Sequence, residues 1–307
     1  MLLPNLFLIG TQKGGSTSLF TYLEQHPEIN SYGNLKEANV FNANSEKGAR
    51  ERLAALPVTG QDCQYRLDGS VNYSRYPRIS SCAENIHAIC RGAEVRFIYI
   101  LRNPIDRLLS NYFWNVNHFG ETRSIEQAVE MEAQYIDTGR YDFQIQQYLQ
   151  YFDRSQFYFL RFDDFARDPR SEVKKIFAWL KLEPLIDLEV RKQRGKTERE
   201  QIRKPRMALL NWIIWKFHPL RALINRVFPQ KFIRQAAKWL TKAQPGESLR
   251  EEYKQELLDQ HFRDSICRTE KITGLDLSDW LHSGEKKHKK TNANSSGTDA
   301  TLPEYSS

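Results

Sequence analysis

The chain has no C-x-x-C pair: its four cysteines, Cys63, Cys82, Cys90 and Cys267, stand far apart. That spacing gives neither a thiolate zinc site nor a thioredoxin-type redox pair, so four free thiols in a reducing compartment are expected. Long hydrophobic runs are missing as well. The apolar N-terminal stretch is broken by Pro4 and Asn5, and no basic segment precedes it. A secretory signal and a membrane span are therefore not expected, a first β-strand is, and cytoplasmic placement follows. Acid is missing from one region altogether. Between Gln201 and Gly246 there is no Asp or Glu, while Arg203, Lys204, Arg206, Lys216, Arg221 and further basic residues fall inside. From Ser283 onward large apolar residues almost disappear, which predicts a disordered tail over 283–307 after a folded unit over 1–282.

What is present suits a globular α/β protein. The 307 residues are 40% hydrophobic and 12% aromatic, enough for a core that needs no disulfide. A net charge of +7 points to anionic partners without naming them. Residues 5–10 read as a short buried strand, and a helix begins near Gly15 or Ser16 with Leu19, Tyr22 and Leu23 inward. "EVRFIYILRNP" (94–104) is a nearly continuous apolar run, as expected of a central parallel strand. Asn103-Pro104 reads as the N-cap and first position of a helix over 104–119. Another strand is predicted over 156–165, then helices over 171–180, 201–246 and 249–272. Strands alternating with helices predict three layers around a parallel sheet.

The chemistry gathers at "LFLIGTQKGGSTSLFTYL" (6–23). Gly10 and Gly15 have the spacing of the phosphate loop G-x-x-x-x-G-K-[ST], but Ser16 and Thr17 follow where lysine is required, and the lysine sits inside the loop as Lys13. Gly14-Gly15 alone could be a tight turn. With a strand before it, a helix after it and Ser16, Thr17 and Ser18 at the helix start, an anion site is the stronger reading. A triphosphate site holds its metal partly through an Asp at the end of a second strand. Here the second strand ends in Arg102, whose planar fork suits phosphate. Ser110, about two turns into the next helix, adds a hydroxyl on the same side. The pattern therefore predicts two anionic subsites and no metal.

"TQKGGSTSL", "LKEANVF", "DGSVNYSRYP", "LRNPIDRLLSNYFW" and "YFLRFDDFARDP" occur in that order. In order and spacing the set resembles the sulfotransferases that use 3′-phosphoadenosine 5′-phosphosulfate, in particular a bacterial branch related to heparan-type carbohydrate sulfotransferases. The resemblance runs from about residue 5 to "DLSDWL". It implies a phosphate-loop-like fold with a central parallel sheet of about five strands and a helical C-terminal part. It also implies that Gln12, Lys13, Gly14, Gly15, Ser16 and Thr17 cradle the 5′-phosphosulfate, with Lys13 at the bridging oxygen. Arg102 and Ser110 would bind the 3′-phosphate, and Arg194, Gly195 and Lys196 would close over the nucleotide. Glu37 takes the place of the general base, Lys36 and Tyr73 that of acceptor contacts. Ala38, Val40 and Val71 stand where the family pattern has Pro, Phe and Pro.

The implied activity is sulfuryl transfer to a hydroxyl or amine, with a carbohydrate or glycolipid as the expected acceptor. Read from the residues alone, two rivals stay open: a phosphate-loop kinase, and a non-catalytic module binding an anion or glycan on the same fold. Nucleic acid is not expected as a partner. The basic helical segment 201–246 is compatible with an anionic glycan, a membrane surface or a solvated subdomain.

Overall fold

A computed structural model describes residues 3–33, 35–57, 63–119, 121–190, 201–205, 241–245 and 249–282. Five parallel strands form its centre: β1 (Leu6–Gly10), β2 (Ile29–Asn30), β3 (Tyr65–Asp68), β4 (Arg96–Leu101) and β5 (Phe157–Arg161), in the order β2-β3-β1-β4-β5. The expected α/β sheet of about five strands is thus present. Alternation along the strands divides the core. Leu6, Leu8, Ile98 and Ile100 point to one face, Phe7, Ile9, Phe97, Tyr99 and Leu101 to the other. On the second face Phe97 stacks between Phe7 and Phe157, with ring centres 5.3 and 4.7 Å away. Neighbouring strands thus gain aromatic pairing in addition to backbone hydrogen bonds.

The first face is covered by α1 (Ser16–Leu23) and α9 (Pro169–Trp179). The second is covered by α3 (Cys82–Ile89), α4 (Pro104–Phe119), α7 (Tyr141–Leu149) and the C-terminal helix. Asn103 caps α4 as its sequence predicts: Oδ1 accepts from the amides of Ile105 and Asp106 at 3.0 and 3.2 Å. β1 leaves the sheet through an irregularity in its register against β4 between Leu8 and Gly10. The register break lies immediately before the loop that leads to α1.

Three predicted elements change. The strand over 156–165 ends at Arg161, and Phe162–Arg167 is helical. Asp163 and Asp164 lie in that helix's first turn, where its dipole favours acid. The helix over 249–272 runs as Glu251–Leu257 and Arg263–Thr273, joined by a π turn at Leu258–Phe262. The acid-free segment is not helical at its ends. Gln201–Pro205 and Thr241–Pro245 pair as an antiparallel ribbon, β6 and β7, with Pro205 opposite Thr241. Each strand ends in a proline, a poor fit to a helix interior. Residues 206–240 between them and the predicted tail over 283–307 lie outside the described residues. β6 runs alongside α4.

Candidate active site

In an open parallel sheet, ligands bind beyond the carboxyl ends of the strands where successive connections diverge. Here β1 lies between β3 and β4, and the connections that follow β1 and β4 both border a cleft of about 670 Å³. Gln12, Lys13, Gly15, Ser16 and Thr17 reach it from the β1–α1 loop. Lys36 and Glu37 reach it from the segment after β2, Arg102 from the end of β4, and Ser110 from α4. The fold thus gathers most of the residues singled out in the sequence into one place.

The loop is held from below. The Thr11 amide donates to the Ile100 carbonyl at 2.9 Å, and the Gly14 amide donates to the Thr11 carbonyl at 2.9 Å. Gly14 is not among the residues lining the cleft. Gly15, the N-cap of α1, has φ 92°, and a Cβ there would also lie 2.9 Å from the Phe162 ring. Only glycine satisfies both constraints without strain. Having no side chain, Gly15 does not cap α1 through one, and the first turn contains no acid. The helix start, with its orphan N–H groups and positive dipole end, therefore favours an anion.

Two cations flank it. The Arg102 Nη1 donates to the Lys13 carbonyl at 2.9 Å, and its guanidinium lies 5.0 Å from the Phe162 ring centre. This leaves most of its five donors for other partners. Lys13 has φ 69°, a left-handed backbone uncommon outside glycine. Its ammonium lies 4.2 Å from the Trp114 ring centre. Trp114 in turn stacks on His118 at 3.6 Å between ring centres. Burial holds the His118 imidazole below its ordinary pKa, against the bond its Nδ1 makes with the Trp114 carbonyl, and the nearby Lys13 lowers it further. A neutral imidazole results at neutral pH.

Glu37 has an ammonium neighbour: Lys36 Nζ donates to Glu37 Oε1 at 2.8 Å. The Glu37 side chain is 36% exposed, so a ligand in the cleft can reach it. The backbone on either side is anchored to the end of β3. The Gly69 amide donates to the Lys36 carbonyl at 2.9 Å, and Ser70 Oγ accepts from the Asn39 amide at 2.9 Å. Tyr73 OH accepts from the amides of Val40 and Phe41 at 3.0 and 3.2 Å and donates to Asp68 Oδ2 at 2.6 Å. Asp68 also accepts from Ser70 through both its amide and its hydroxyl. Complete burial raises the Asp68 carboxyl to about 6 despite these bonds, with the charge of Glu37 adding to the rise.

This arrangement corrects one assignment. Tyr73 is 2% exposed and its hydroxyl is committed to Asp68 and two amides, so it supports the Glu37 segment from beneath instead of contacting substrate. Arg194, Gly195 and Lys196 lie outside the described residues. Trp114, His118, Asn72 and Arg75 line the cleft although the motifs did not single them out as site residues. For Trp114 and His118 a signal was available: with Ser110 they recur every four residues, on one face of a helix. His26, by contrast, is 5% exposed and packs on Phe177. Among the described residues no group of three or more His, Cys, Asp or Glu is placed to hold a metal ion.

Fold and cleft together define an α/β protein in which a glycine-containing loop, with its lysine inside the loop, joins the first strand to a helix start at the cleft. The chain belongs to the sulfotransferase family: the family profile described as "Sulfotransferase domain" matches residues 3–216. Among curated proteins it is similar to a human heparan sulfate glucosamine 3-O-sulfotransferase 6, 24% identical over 194 residues that make up 60% of this chain and 54% of that protein. It is also similar to a bifunctional heparan sulfate N-deacetylase/N-sulfotransferase 1 of Caenorhabditis briggsae, 24% identical over 59% of this chain and 23% of that protein. The chain spans about half the length, or less, of such relatives. In fold it resembles the crystal structure of a sulfotransferase from Alicyclobacillus acidocaldarius, with TM-score 0.63 and 21% identity over 92% of this chain and 100% of that one.

Proposed function

We propose that the protein transfers a sulfuryl group from 3′-phosphoadenosine 5′-phosphosulfate to a hydroxyl or amine of a carbohydrate or glycolipid. The observation that carries this reading is one cleft holding an uncapped helix start with Lys13 and Arg102 and, from another segment, the Lys36–Glu37 pair. The residues present fit the donor's charges. The α1 N-terminus, with Gln12 to Thr17, takes the 5′ end, and Arg102 with Ser110 takes the 3′-phosphate. The donor supplies an activated sulfuryl group. Lys13 stabilises the negative charge that grows on the leaving phosphate oxygen as the S–O bond breaks. Glu37 accepts the proton that the acceptor loses as its new bond to sulfur forms. Lys36 orients the Glu37 carboxylate for that task. The curated relatives named for heparan sulfate favour a sugar acceptor.

Calorimetry with adenosine 3′,5′-bisphosphate and adenosine 5′-phosphate tests the donor assignment. The bisphosphate is expected to bind more tightly by about 1.5–3 kcal/mol for each charge-assisted bond to the 3′-phosphate. Arg102→Ala should remove most of that preference. Equal affinity of the two nucleotides in the wild type would overturn the reading of Arg102 and Ser110.

A further inference from the structure

Beside the cleft lies a second hollow of about 560 Å³, and Arg75 lines both. Arg75 Nη2 and Arg78 Nη1 donate to the same oxygen, Gln134 Oε1, at 2.5 and 2.7 Å. Arg75 Nη1 also donates to Asn72 Oδ1 at 3.0 Å. Two like charges thus converge on one neutral amide oxygen, an arrangement that Coulomb repulsion opposes. Among the described residues neither guanidinium pairs with a carboxylate, and the two acids that line the hollow have other cations beside them. Glu132 lies 2.5 Å from Arg123, and Asp137 has Arg140 at 3.9 Å.

Donors outnumber acceptors here. Arg75 Nε and Gln134 Nε2 are buried without any hydrogen-bond partner. Each guanidinium carries five N–H groups and accepts nothing, so Nη–H donors beyond those bonded to Gln134 and Asn72 remain for an added anion. The backbone that presents the arginines is fixed. Gln144, 1% exposed, accepts from the Tyr76 amide at 2.8 Å and donates to the Tyr76 carbonyl at 2.8 Å. Burial and the charge of Arg78 lower the Arg75 pKa, while the charge of Glu37 opposes them. Arg75 therefore lies within electrostatic reach of Glu37 and also reaches the second hollow.

We propose that Arg75 and Arg78 form an anion subsite for the acceptor, taking a carboxylate or sulfate group on the sugar next to the one presented to Glu37. This rests on the sulfotransferase reading of the cleft. Two planar forks in a fixed loop suit an oxyanion better than two mobile ammonium groups would. The site selects acceptors that already carry negative charge and sets their register relative to the base.

The test reads binding apart from turnover. Three tetrasaccharide probes are used at one ionic strength: a glucuronate–N-acetylglucosamine chain, its N-sulfated counterpart and the carboxyl-reduced, N-acetylated neutral form. Affinity for each is measured on the wild type, on Arg78→Gln and on Arg75→Gln/Arg78→Gln, with adenosine 3′,5′-bisphosphate affinity measured on the same proteins. The wild type is expected to prefer the charged probes, and the double variant to lose about tenfold or more of that affinity. Binding of the neutral probe and of the nucleotide should hold. Loss confined to the N-sulfated probe assigns the site to sulfate, and loss on both charged probes assigns it to carboxylate. Unchanged binding of charged probes to the double variant overturns the subsite, as does an equal loss on the neutral probe. Failure of the nucleotide to bind the wild type would instead sink the reading of the cleft, leaving an arginine-dependent preference for charged probes in place.

Discussion

Glu37 and Lys13 have different neighbours, and that difference separates the roles proposed for them. The Glu37 carboxylate meets Lys36 and feels Arg75, whereas the Lys13 ammonium rests over Trp114 beside the helix start. Glu37→Gln keeps shape and removes the proposed base, so turnover should fall by about 10²–10⁴ with nucleotide affinity almost unchanged. Lys13→Ala should lower both kcat and donor affinity, because its ammonium lies in the cleft where the donor is proposed to bind before any reaction. Steady-state kinetics with nucleotide titrations distinguish the two patterns. Near-normal turnover of Glu37→Gln would shift the base elsewhere, with His118 the first alternative, since it lines the same cleft and burial keeps it neutral. At this scale Lys13, Arg102 and Ser110 were legible because each sits at a fixed offset from a strand end or helix start. Arg75 was not: nothing in "SRYPR" says that Gln134, dozens of residues away, brings its two arginines together.

Among the elements, β3 carries the most consequence for its size. Its last residue, Asp68, begins a buried relay through Ser70 and Tyr73 to the amides of Asn39, Val40 and Phe41. The segment bearing Glu37 is thereby tied to the sheet at fixed height. The carboxyl's raised pKa, about 6 against an ordinary 3.8, makes a testable link to stability. The folded protein holds this proton more tightly than the unfolded chain, so folding binds protons between about pH 4 and pH 6. The group's contribution to stability is therefore most favourable below that window and declines as pH rises through it. Over the whole window the change is about 3 kcal/mol. Asp68→Asn cannot titrate. Urea denaturation at about pH 4.5 and about pH 7 should show the variant gaining on the wild type as pH rises. A stability gap constant with pH would mean that Asp68 is not titrating in this range. Such a strand escapes sequence reading because "YRLD" has only four residues, charged at positions two and four, yet is buried throughout. Its identity depends on pairing with β1 and β2.

Across the whole molecule the sheet and its two aromatic and aliphatic faces form a scaffold, while the acid-free segment is attached to it through a ribbon. Pro205 and Thr241 are paired partners in that ribbon, so its two strands stand one strand spacing apart where residues 206–240 leave and return. A short glycine-containing turn in place of 206–240 should therefore close a hairpin without disturbing the sheet. If the segment serves a membrane surface or an anionic glycan, the shortened protein should keep its thermal midpoint and nucleotide affinity but lose sedimentation with anionic vesicles or retention on a polyanion column. Equal retention of both proteins would remove the segment from either role. No helix among the described residues is long and apolar enough to cross a membrane. The sequence by itself determined the parallel α/β class, the glycine-containing loop between β1 and α1 and the cation at the end of β4, because periodicity, caps and loop glycines act within a few residues of one another. Tertiary structure alone decided that the relay from Asp68 supports Glu37, that Tyr73 lies beneath the cleft and that Arg75 meets Arg78 on Gln134. Those contacts join distant parts of the chain, and only the closing of the sheet brings them within hydrogen-bonding reach.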